Sequence, residues 1–382
     1  MEQDWRWDFW YPLPLYPYNL RRTVRTEIVK DQIWAFDQLQ GIFYVVVPIR
    51  MTVVKLEAGG LVVYAPIAPT AECLKLLREL TTVHGEVKYI ILPTASGLEH
   101  KVYVAPFARH FQQAQVYVSP SQWSYPLNLP LSWLGFPRDR THILPQDSSQ
   151  TPFASEFDYA ILEPINLGLG TFEEVAFYHR RSQTLLVTDI VLSIPDSPPA
   201  ITQLDPYPLL FHAKEDAAHN PEDTPANRIK GWQRIVLFTF YFKPHALETL
   251  SLGAAWQNSF GAKERSPKTY FGLYPFQWQD HWRASFENLC RHGQLLVAPI
   301  LQTLILKRSP QKVRYWVEKV SRWQFTRIVP CHFQAEIKAT PAEFKQAFVF
   351  LDDQVPNPLP DQDFQLLKAI EHNLIKLKIL PK

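Results

Sequence analysis

Glycine and cysteine are scarce in this chain, and each scarcity removes a class of function. Only 13 of the 382 residues are glycine. None of the P-loop, GxGxxG, GxSxG or HExxH motifs occurs, so the common signatures of nucleotide binding, serine nucleophiles and zinc proteases are missing. The three cysteines, Cys73, Cys290 and Cys331, form neither a CxxC pair nor an even disulfide framework. We therefore expect a protein of a reducing compartment.

Net charge and long apolar runs are missing as well. The 39 Lys+Arg residues nearly balance the 37 Asp+Glu residues, for a net charge of +2, which argues against nucleic acid as a partner. The longest apolar runs, 235–242 and 295–306, fall short of the roughly 20 residues that a transmembrane helix needs. Two of the first four residues, Glu2 and Asp4, are acidic, unlike the start of a targeting peptide. These features predict a cytoplasmic protein without a transmembrane segment.

Apolar, aromatic and proline residues are abundant. Hydrophobic residues make up 46% of the chain and aromatic residues 14%, including 12 Trp, and 33 residues are proline. This composition predicts a globular chain with a large core and long, stiffened connections. The first 20 residues form an aromatic, proline-rich arm. It either packs on the chain's own surface or presents Trp5, Trp7, Trp10 and Tyr11 to a protein partner or a membrane interface.

The hydrophobic pattern predicts an α/β order of elements. A strand region begins near Ile33, and Thr70 is a good N-cap for a helix over 72–81. Further strands are predicted at 43–48, 51–57, 61–64, 89–92, 116–118, 159–162, 174–179, 184–190 and 325–329. Further helices are predicted at 106–111, 226–242, 282–290, 293–307, 312–323 and 341–351. Such an alternation is typical of a layered α/β fold.

Polar side chains follow three of these strands. Glu99 and His100 end the loop that follows the strand 89–92. Asp189 lies at the end of the strand 184–190, and His332 follows the strand 325–329. Because ligands of open α/β folds bind beyond the carboxyl ends of strands, these side chains are able to converge. Two carboxylates and two imidazoles suit Zn, Fe or Mn. Strand ends also carry polar residues for ordinary solvation, so the residues alone leave a metal site and a plain polar cluster open.

Four segments resemble the metallo-β-lactamase fold. The fold's T-H-x-H-x-D-H loop corresponds to Thr94-Ala95-Ser96-Gly97-Leu98-Glu99-His100, and its G-H-T-x-G-S-V segment corresponds to Gly170-Thr171-Phe172-Glu173-Glu174-Val175. Its strand-end aspartate corresponds to Thr188-Asp189, and its final histidine corresponds to Pro330-Cys331-His332. The chain resembles most an uncharacterised family of that fold found in photosynthetic organisms. The resemblance implies an αββα sandwich over 31–352 with a helical, proline-rich insertion at about 195–293. An arm over 1–30 precedes it, and a tail with a short helix over 353–382 follows.

The departures from the fold's motifs follow a pattern. The positions that would supply three histidines to a first metal are Ala95, Gly97 and Gly170, and none of these can coordinate through a side chain. The positions of a second metal are occupied by Glu99, His100, Asp189 and His332, which all can. The resemblance therefore implies at most one metal, a Zn, Fe or Mn ion, or none.

Two functions remain open at this point. If one metal is bound, the resemblance implies a hydrolase of an ester, thioester or phosphoester, with Asp189 and Lys101 as candidates for catalytic roles. Lys101 would either neutralise the acidic cluster or bind an anionic substrate. If no metal is bound, the residues form a polar cluster in a non-catalytic binding or assembly protein. For that case the resemblance implies work at or near photosynthetic membranes.

Overall fold

Two large β-sheets with helices on their outer faces, together with two small two-stranded sheets, form the core of the described part of the chain, residues 2–7, 15–95, 99–124 and 127–381 of a computed structural model. The strands are β1 (Leu15–Tyr16), β2 (Val24–Val29), β3 (Ile33–Ile42), β4 (Val45–Lys55), β5 (Leu61–Tyr64), β6 (Val87–Leu92), β7 (Gln115–Val118), β8 (Thr141–Ile143), β9 (Phe157–Ile161), β10 (Ile165–Asn166), β11 (Thr171–Phe172), β12 (Val175–His179), β13 (Thr184–Leu186), β14 (Leu247–Thr249), β15 (Phe276–Trp278), β16 (Arg327–Val329) and β17 (Ile337–Lys338).

The helices are distributed along the whole chain. The α-helices are α1 (Ala71–His84), α2 (Lys101–His110), α3 (Ala200–Gln203), α4 (Tyr207–Ala213), α5 (Pro225–Tyr241), α6 (Leu252–Ser259), α7 (Trp282–Cys290), α8 (Pro299–Leu304), α9 (Pro310–Val320), α10 (Pro341–Gln346) and α11 (Gln365–Lys376). Short 3₁₀ turns lie at Glu2–Trp5, Leu131–Leu134, Ser148–Gln150, Pro267–Gly272, Arg291–Gly293, Leu306–Arg308, Val349–Leu351 and Asp361–Phe364. None of the helices in this described part combines the length and the apolar character that crossing a bilayer requires.

The two sheets differ in size and in strand direction. In the first sheet the order is β1-β3-β4-β5-β6-β7-β8, β2 pairs with β3 on the same edge as β1, and the strands from β5 to β8 run parallel. In the second sheet the order is β17-β16-β13-β12-β9, and β13 runs parallel to β16. Parallel neighbours end at the same edge of a sheet, and this is where the candidate site lies.

Successive side chains of each strand point to opposite faces of its sheet, and this alternation divides the core into three layers. In β5, Val62 and Tyr64 face the second sheet, whereas Leu61 and Val63 face the opposite side, as the period of two in a strand requires. The Tyr64 hydroxyl spans the central layer and donates to the carbonyl of Val175 (3.0 Å) in the second sheet. Each sheet therefore buries both of its faces.

Helices cover the two outer faces. The leucines of α1 pack on the first sheet, and Thr70 caps this helix by accepting from the Cys73 amide (3.2 Å), as the sequence predicts. On the second sheet, Trp316 of α9 and Trp232 of α5 lie in one large apolar cluster. The resulting order of layers, helix–sheet–sheet–helix, confirms the αββα sandwich.

One predicted strand boundary is wrong. The sequence predicts a break between 48 and 51, but β4 runs without interruption from Val45 to Lys55. The chain turns earlier, at Phe43 and Tyr44, which have left-handed φ angles of 52° and 62°. Arg50 lies in the predicted break, and a charged residue is rarely buried without a partner. It lies opposite Asp37 of β3 in the ladder, and this cross-strand carboxylate compensates its charge.

Other element boundaries predicted from the sequence also differ from those in the structure. Residues 24–29, assigned to the arm from the sequence, pair with β3 as β2. The helix expected over 293–307 is confined to α8, since Arg291 and His292 have left-handed φ angles and Pro299 is favourable at a first helical turn. The segment 121–155, expected to be a loop, contributes β8 to the first sheet.

The aromatic arm makes contacts within the chain. The ring of Trp5 stacks under the guanidinium of Arg22 (3.9 Å), and the ring of Trp7 lies edge-on against Tyr103 (5.7 Å). Trp10 and Tyr11, which were expected to share in a partner surface, lie outside the described residues. Trp5 and Trp7 are therefore engaged by the chain's own side chains.

Candidate metal site

A cleft of about 710 Å³ opens at the edge of the sandwich where the parallel strands end. The β3–β4 hairpin, the segment between β6 and α2, the start of β12 and the end of α5 surround it. Its lining residues are Gln40, Gly41, Ile42, Val45, Val47, Thr94, Glu99, His100, Phe172, Glu173, Asp189, Phe238, Thr239 and Phe242. Carboxylates and imidazoles are thus gathered at the base of a largely apolar cleft.

Strand register explains why Asp189 and His332 meet. Leu186 of β13 and Val329 of β16 are partners in a parallel ladder, and each of the two polar residues follows its strand by the same three positions. The Nε2 atom of His332 lies 3.1 Å from Oδ1 of Asp189 as a result. Two segments that are distant in sequence thus deliver their side chains to one point.

Three of the expected ligands form a compact group. Glu99, His100 and His332 each offer one ligand atom, and these atoms lie within 4.8 Å of one another. The Nε2 atom of His332 is 3.0 Å from Oε2 of Glu99. Asp189 contacts His332 but lies outside this group. The structure therefore brings together three of the four residues and places the fourth one contact away.

Both imidazoles are oriented by proline carbonyls. His332 Nδ1 is 2.8 Å from the carbonyl oxygen of Pro48, and His100 Nδ1 is 3.1 Å from that of Pro66. Because a carbonyl only accepts, each Nδ1 carries the proton and donates. Nε2 of His100 is buried and has no hydrogen-bond partner among the described residues. A histidine that donates through one nitrogen to a backbone carbonyl and offers the other is the usual arrangement of a metal ligand.

Charge within the group favours a protonated His332 in the absence of an ion. Burial opposes the charge, but Glu99 and Asp189 outweigh it and hold the pKa of His332 well above its usual value. Burial likewise opposes ionisation of Glu99, yet the His332 charge and the hydrogen bond from His332 hold the pKa of Glu99 down at about 2. Burial lowers the pKa of His100 below its usual value, so this imidazole stays neutral. Glu99 is thus ionised and able to attract a cation.

Arg50 fixes the backbone that carries His332. Its guanidinium donates to the carbonyls of Pro330 (2.7 Å) and Phe333 (2.9 Å), while its Nε lies 2.8 Å from Oδ1 of Asp37. The side chain is only 1% exposed. A planar guanidinium holds several acceptors in fixed directions, so the turn on both sides of His332 is rigidly placed.

Glu174 fixes the backbone that carries Asp189. Its buried carboxylate accepts from the amides of Thr188 (2.8 Å), Asp189 (3.0 Å) and Ile190 (3.0 Å). Burial, together with the nearby Asp189 charge, raises the pKa of Glu174 to about 7. Asp189 is thus positioned by a carboxylate that does not line the cleft.

Lys101 has neither of the roles proposed for it from the sequence. Its Nζ donates to the carbonyls of Trp123 (2.7 Å) and Ala95 (3.2 Å), and it is absent from the described lining of the cleft. Burial lowers the pKa of Lys101 to about 8. The ammonium therefore ties two loops together instead of facing the carboxylates.

An aromatic ring occupies the place of a first-metal ligand. A Cβ atom added at Gly170 would lie 2.6 Å from the ring of Trp123, which real side chains never tolerate. A histidine at this position is therefore sterically excluded. This geometry agrees with the absence of a ligand side chain at Gly170.

Sequence reasoning missed the residues that support the site. Asp37, Arg50 and Glu174 are all buried and charged, and each lies within or beside a strand. The available signal was the presence of ionisable residues inside apolar strand segments, where an unpaired charge is costly. Which partner each of them would meet depends on the register between distant strands.

Comparisons with known proteins place the chain as follows. A family model described as a domain of unknown function (DUF4336) matches residues 30–350. No curated protein matches the sequence. Similar solved structures include the DIM-1 metallo-β-lactamase exposed to ceftazidime (9% identity, TM-score 0.41, 87% of this chain and 98% of that chain).

Two further similar structures come from Nostoc and Synechocystis. One is a fragment of the putative diflavin flavoprotein A 5 from Nostoc sp. PCC 7120 (12% identity, TM-score 0.43, 92% of this chain and 99% of that chain). The other is the metal-soaked Flv1 flavodiiron core from Synechocystis sp. PCC6803 (10% identity, TM-score 0.43, 87% of this chain and 62% of that chain). All three identities are low, so function is argued below from the site itself.

Proposed function

Because the chain belongs to the family of the domain of unknown function DUF4336, we propose its activity from the site: a metal-dependent hydrolase with a single Zn, Fe or Mn ion, acting on an ester, thioester or phosphoester. The observation that carries this proposal is the buried, unpartnered Nε2 of His100 beside Glu99 and His332. A buried nitrogen without a partner is costly unless a ligand satisfies it.

The donor set fits such an ion. Two imidazole nitrogens and a carboxylate oxygen are the ligands of common catalytic sites of Zn and of non-haem Fe. Glu99 and Asp189 together carry the charge that a divalent cation neutralises. Three ligands from Glu99, His100 and His332 leave a coordination position open for water or substrate, which four ligands on a tetrahedral ion would not.

The roles of the chain's own residues follow from their positions. When bound, the ion supplies Lewis acidity towards a carbonyl or phosphoryl oxygen and makes a water molecule more acidic. Asp189 lines the cleft, lies outside the compact group and is one-third exposed, so it accepts the proton of the attacking water. The water oxygen bonds to the acyl carbon or phosphorus, the bond to the leaving oxygen or sulfur breaks, and the leaving group takes the proton from Asp189.

The test compares Asp189→Asn with wild type after chelation and reloading with Zn. Hydrolysis of p-nitrophenyl acetate, p-nitrophenyl phosphate and a thioester is measured, with Asp353→Asn on the exposed surface as the control. We expect Asp189→Asn to retain the ion and lose about 10²- to 10⁴-fold in rate, the usual contribution of a general base. Rates equal to those of the control, or no turnover in the loaded wild type, contradict the proposal.

The alternative of a non-catalytic binding protein has less support. It relied on an adhesive aromatic arm, and the two described tryptophans of that arm, Trp5 and Trp7, are engaged by Arg22 and Tyr103. The hydrolase accounts for the orientation of both imidazoles, whereas a plain polar cluster does not require an unpartnered Nε2.

A further inference from the structure

We infer that the cleft takes an uncharged carboxylic ester or thioester with an apolar acyl chain, and that Phe242 is the residue that recognises this chain. The inference rests on the proposed hydrolase for the reaction, but the binding preference belongs to the walls of the cleft alone. Of the three bond types that the proposed function leaves open, it keeps the ester and the thioester and excludes the phosphoester.

The walls above the polar base are apolar on three sides. Ile42, Val45 and Val47 belong to the β3–β4 hairpin, and Phe172 stands on the side of β11. Phe238 near the end of α5 and Phe242, the residue that directly follows this helix, both line the cleft. Apolar walls above a few converging polar groups are typical of small-molecule sites.

The cleft has no cationic side chain with which to bind a phosphate. Among the described residues that line it there is neither Lys nor Arg, whereas Glu99, Glu173 and Asp189 are acidic. Arg21 is buried and donates to the carbonyl of Leu39, and Lys101 is held by two carbonyls. A divalent ion would only balance Glu99 and Asp189. An anionic phosphoester therefore meets no surplus positive charge, and an uncharged acyl group meets no unfavourable one.

Phe242 is held in the wall by an unusual turn. Its φ and ψ angles are 59° and −49°, and the Lys243 amide donates to the carbonyl of Tyr241 (2.6 Å), which closes a three-residue γ-turn with positive φ. This turn is rare and strained, above all for a bulky residue. The ring is nonetheless 46% exposed in the cleft instead of buried in the core. Strain of this kind concentrates at functional sites, and here it directs an aromatic ring at the ligand.

The test measures binding without turnover. Uncharged methyl ketones from 2-hexanone to 2-decanone present a carbonyl and an apolar chain that cannot be hydrolysed, and phenyl phosphate presents the alternative charge. Calorimetry of the wild type should show affinity rising about 2- to 4-fold per methylene, since each buried methylene favours binding. Phenyl phosphate should bind more weakly than any of the longer ketones.

Variants of two phenylalanines test whether Phe242 is the residue that recognises the apolar chain. Phe242→Ala should weaken 2-decanone about 5- to 10-fold and flatten the dependence on chain length. Phe242→Gly removes the backbone strain together with the ring. It should weaken the binding of 2-decanone by a similar factor, and because glycine is unstrained at this φ angle, strain in the backbone does not explain that loss. Phe260→Ala removes a more exposed ring that does not line the cleft, and it should bind like wild type. A flat chain-length series, or equal loss in Phe260→Ala, overturns the inference.

Turnover separates this inference from the proposed function. If the ketones bind as expected but the loaded protein hydrolyses no ester, the hydrolase fails while the apolar site stands. If the loaded protein prefers p-nitrophenyl phosphate to p-nitrophenyl octanoate, the hydrolase stands and the substrate class is overturned. Tighter binding of phenyl phosphate than of 2-decanone overturns the substrate class whatever the turnover.

Discussion

Nε2 of His332 lies 3.0 Å from Oε2 of Glu99, and this contact joins the two sheets of the sandwich. Glu99 follows β6 of the first sheet, whereas His332 follows β16 of the second. Changes that loosen the packing between the sheets will therefore also open the site. The supports of the site, Glu174 and Arg50, can for this reason be tested by stability as well as by binding.

Glu174 should be among the most sensitive positions outside the cleft. Glu174→Ala leaves three buried amides without an acceptor and should cost about 3 kcal/mol or more in the free energy of unfolding. Glu174→Gln keeps one acceptor oxygen and should cost less, about 1 to 3 kcal/mol. Urea denaturation measures both variants. Equal costs for the two would show that the carboxylate does not act through these three hydrogen bonds.

Arg50→Lys should be destabilising although it keeps the charge. Lysine cannot reach Pro330, Phe333 and Asp37 in the directions of a planar guanidinium, so we expect a loss of about 2 to 4 kcal/mol in the free energy of unfolding. The control is Arg180→Lys, which replaces the guanidinium of a 43% exposed arginine that pairs with Asp158. That change should cost less than about 1 kcal/mol, because exposed ion pairs contribute little. Similar costs for the two variants would contradict a special role for Arg50.

The free energy of unfolding should fall in acid because of a buried histidine, His212, whose ring packs against Phe238 of the cleft wall (5.3 Å between ring centroids). Burial lowers the pKa of His212 to about 3, and its Nε2–H donates to the carbonyl of Phe43 (3.2 Å). Since the folded pKa lies below the unfolded one, the unfolded chain takes up the proton first, and stability present above about pH 6.5 is lost towards pH 3. At pH 4 the loss from this group is about 3 kcal/mol.

The measurement for His212 is the free energy of unfolding from pH 7 to pH 4. Burial also lowers the pKa of His179, to about 4, so this residue adds a change of the same sign. His212→Gln should be less stable than wild type at pH 7 but should lose less on acidification. An unchanged pH dependence in this variant would show that His212 is already protonated in the folded state, or solvated.

Phe242 offers a stability test of the strained turn. At a φ of 59° glycine is unstrained and alanine is not, so Phe242→Gly should be about 1 kcal/mol more stable than Phe242→Ala. Phe260 has a φ of −65°, and there the order should reverse, with glycine about 0.5 to 1 kcal/mol less stable than alanine. The same order at both positions would mean that the turn at Phe242 stores no strain.

The layered fold could be predicted from the sequence because its signals are local. Thr70 caps α1 as expected, and the apolar runs of β5 and β6 alternate between two buried faces. Where the prediction failed, a distant partner decided the outcome. Arg50 interrupted the apolar pattern of β4, and only the register with Asp37 explains why the strand continues.

The candidate ligands could be predicted from the sequence, but the residues that position them could not. Glu99, His100 and His332 were found because metal-type residues follow strands, whereas the metal itself stays a prediction. Glu174 was passed over, since its partners are backbone amides that carry no residue-type signal. Lys101 was misjudged because its neighbours in sequence point to the cleft, while its ammonium is turned towards the carbonyl of Trp123.

Metal content is the most direct test of the single-ion site. Protein purified without a histidine tag or chelator is analysed by plasma mass spectrometry, together with the His100→Ala/His332→Ala double variant and with His142→Ala, an exposed histidine outside the site. We predict one Zn, Fe or Mn ion per chain in the wild type and in His142→Ala, and none in the double variant. A folded wild type without metal, or a double variant that retains it, would contradict the account.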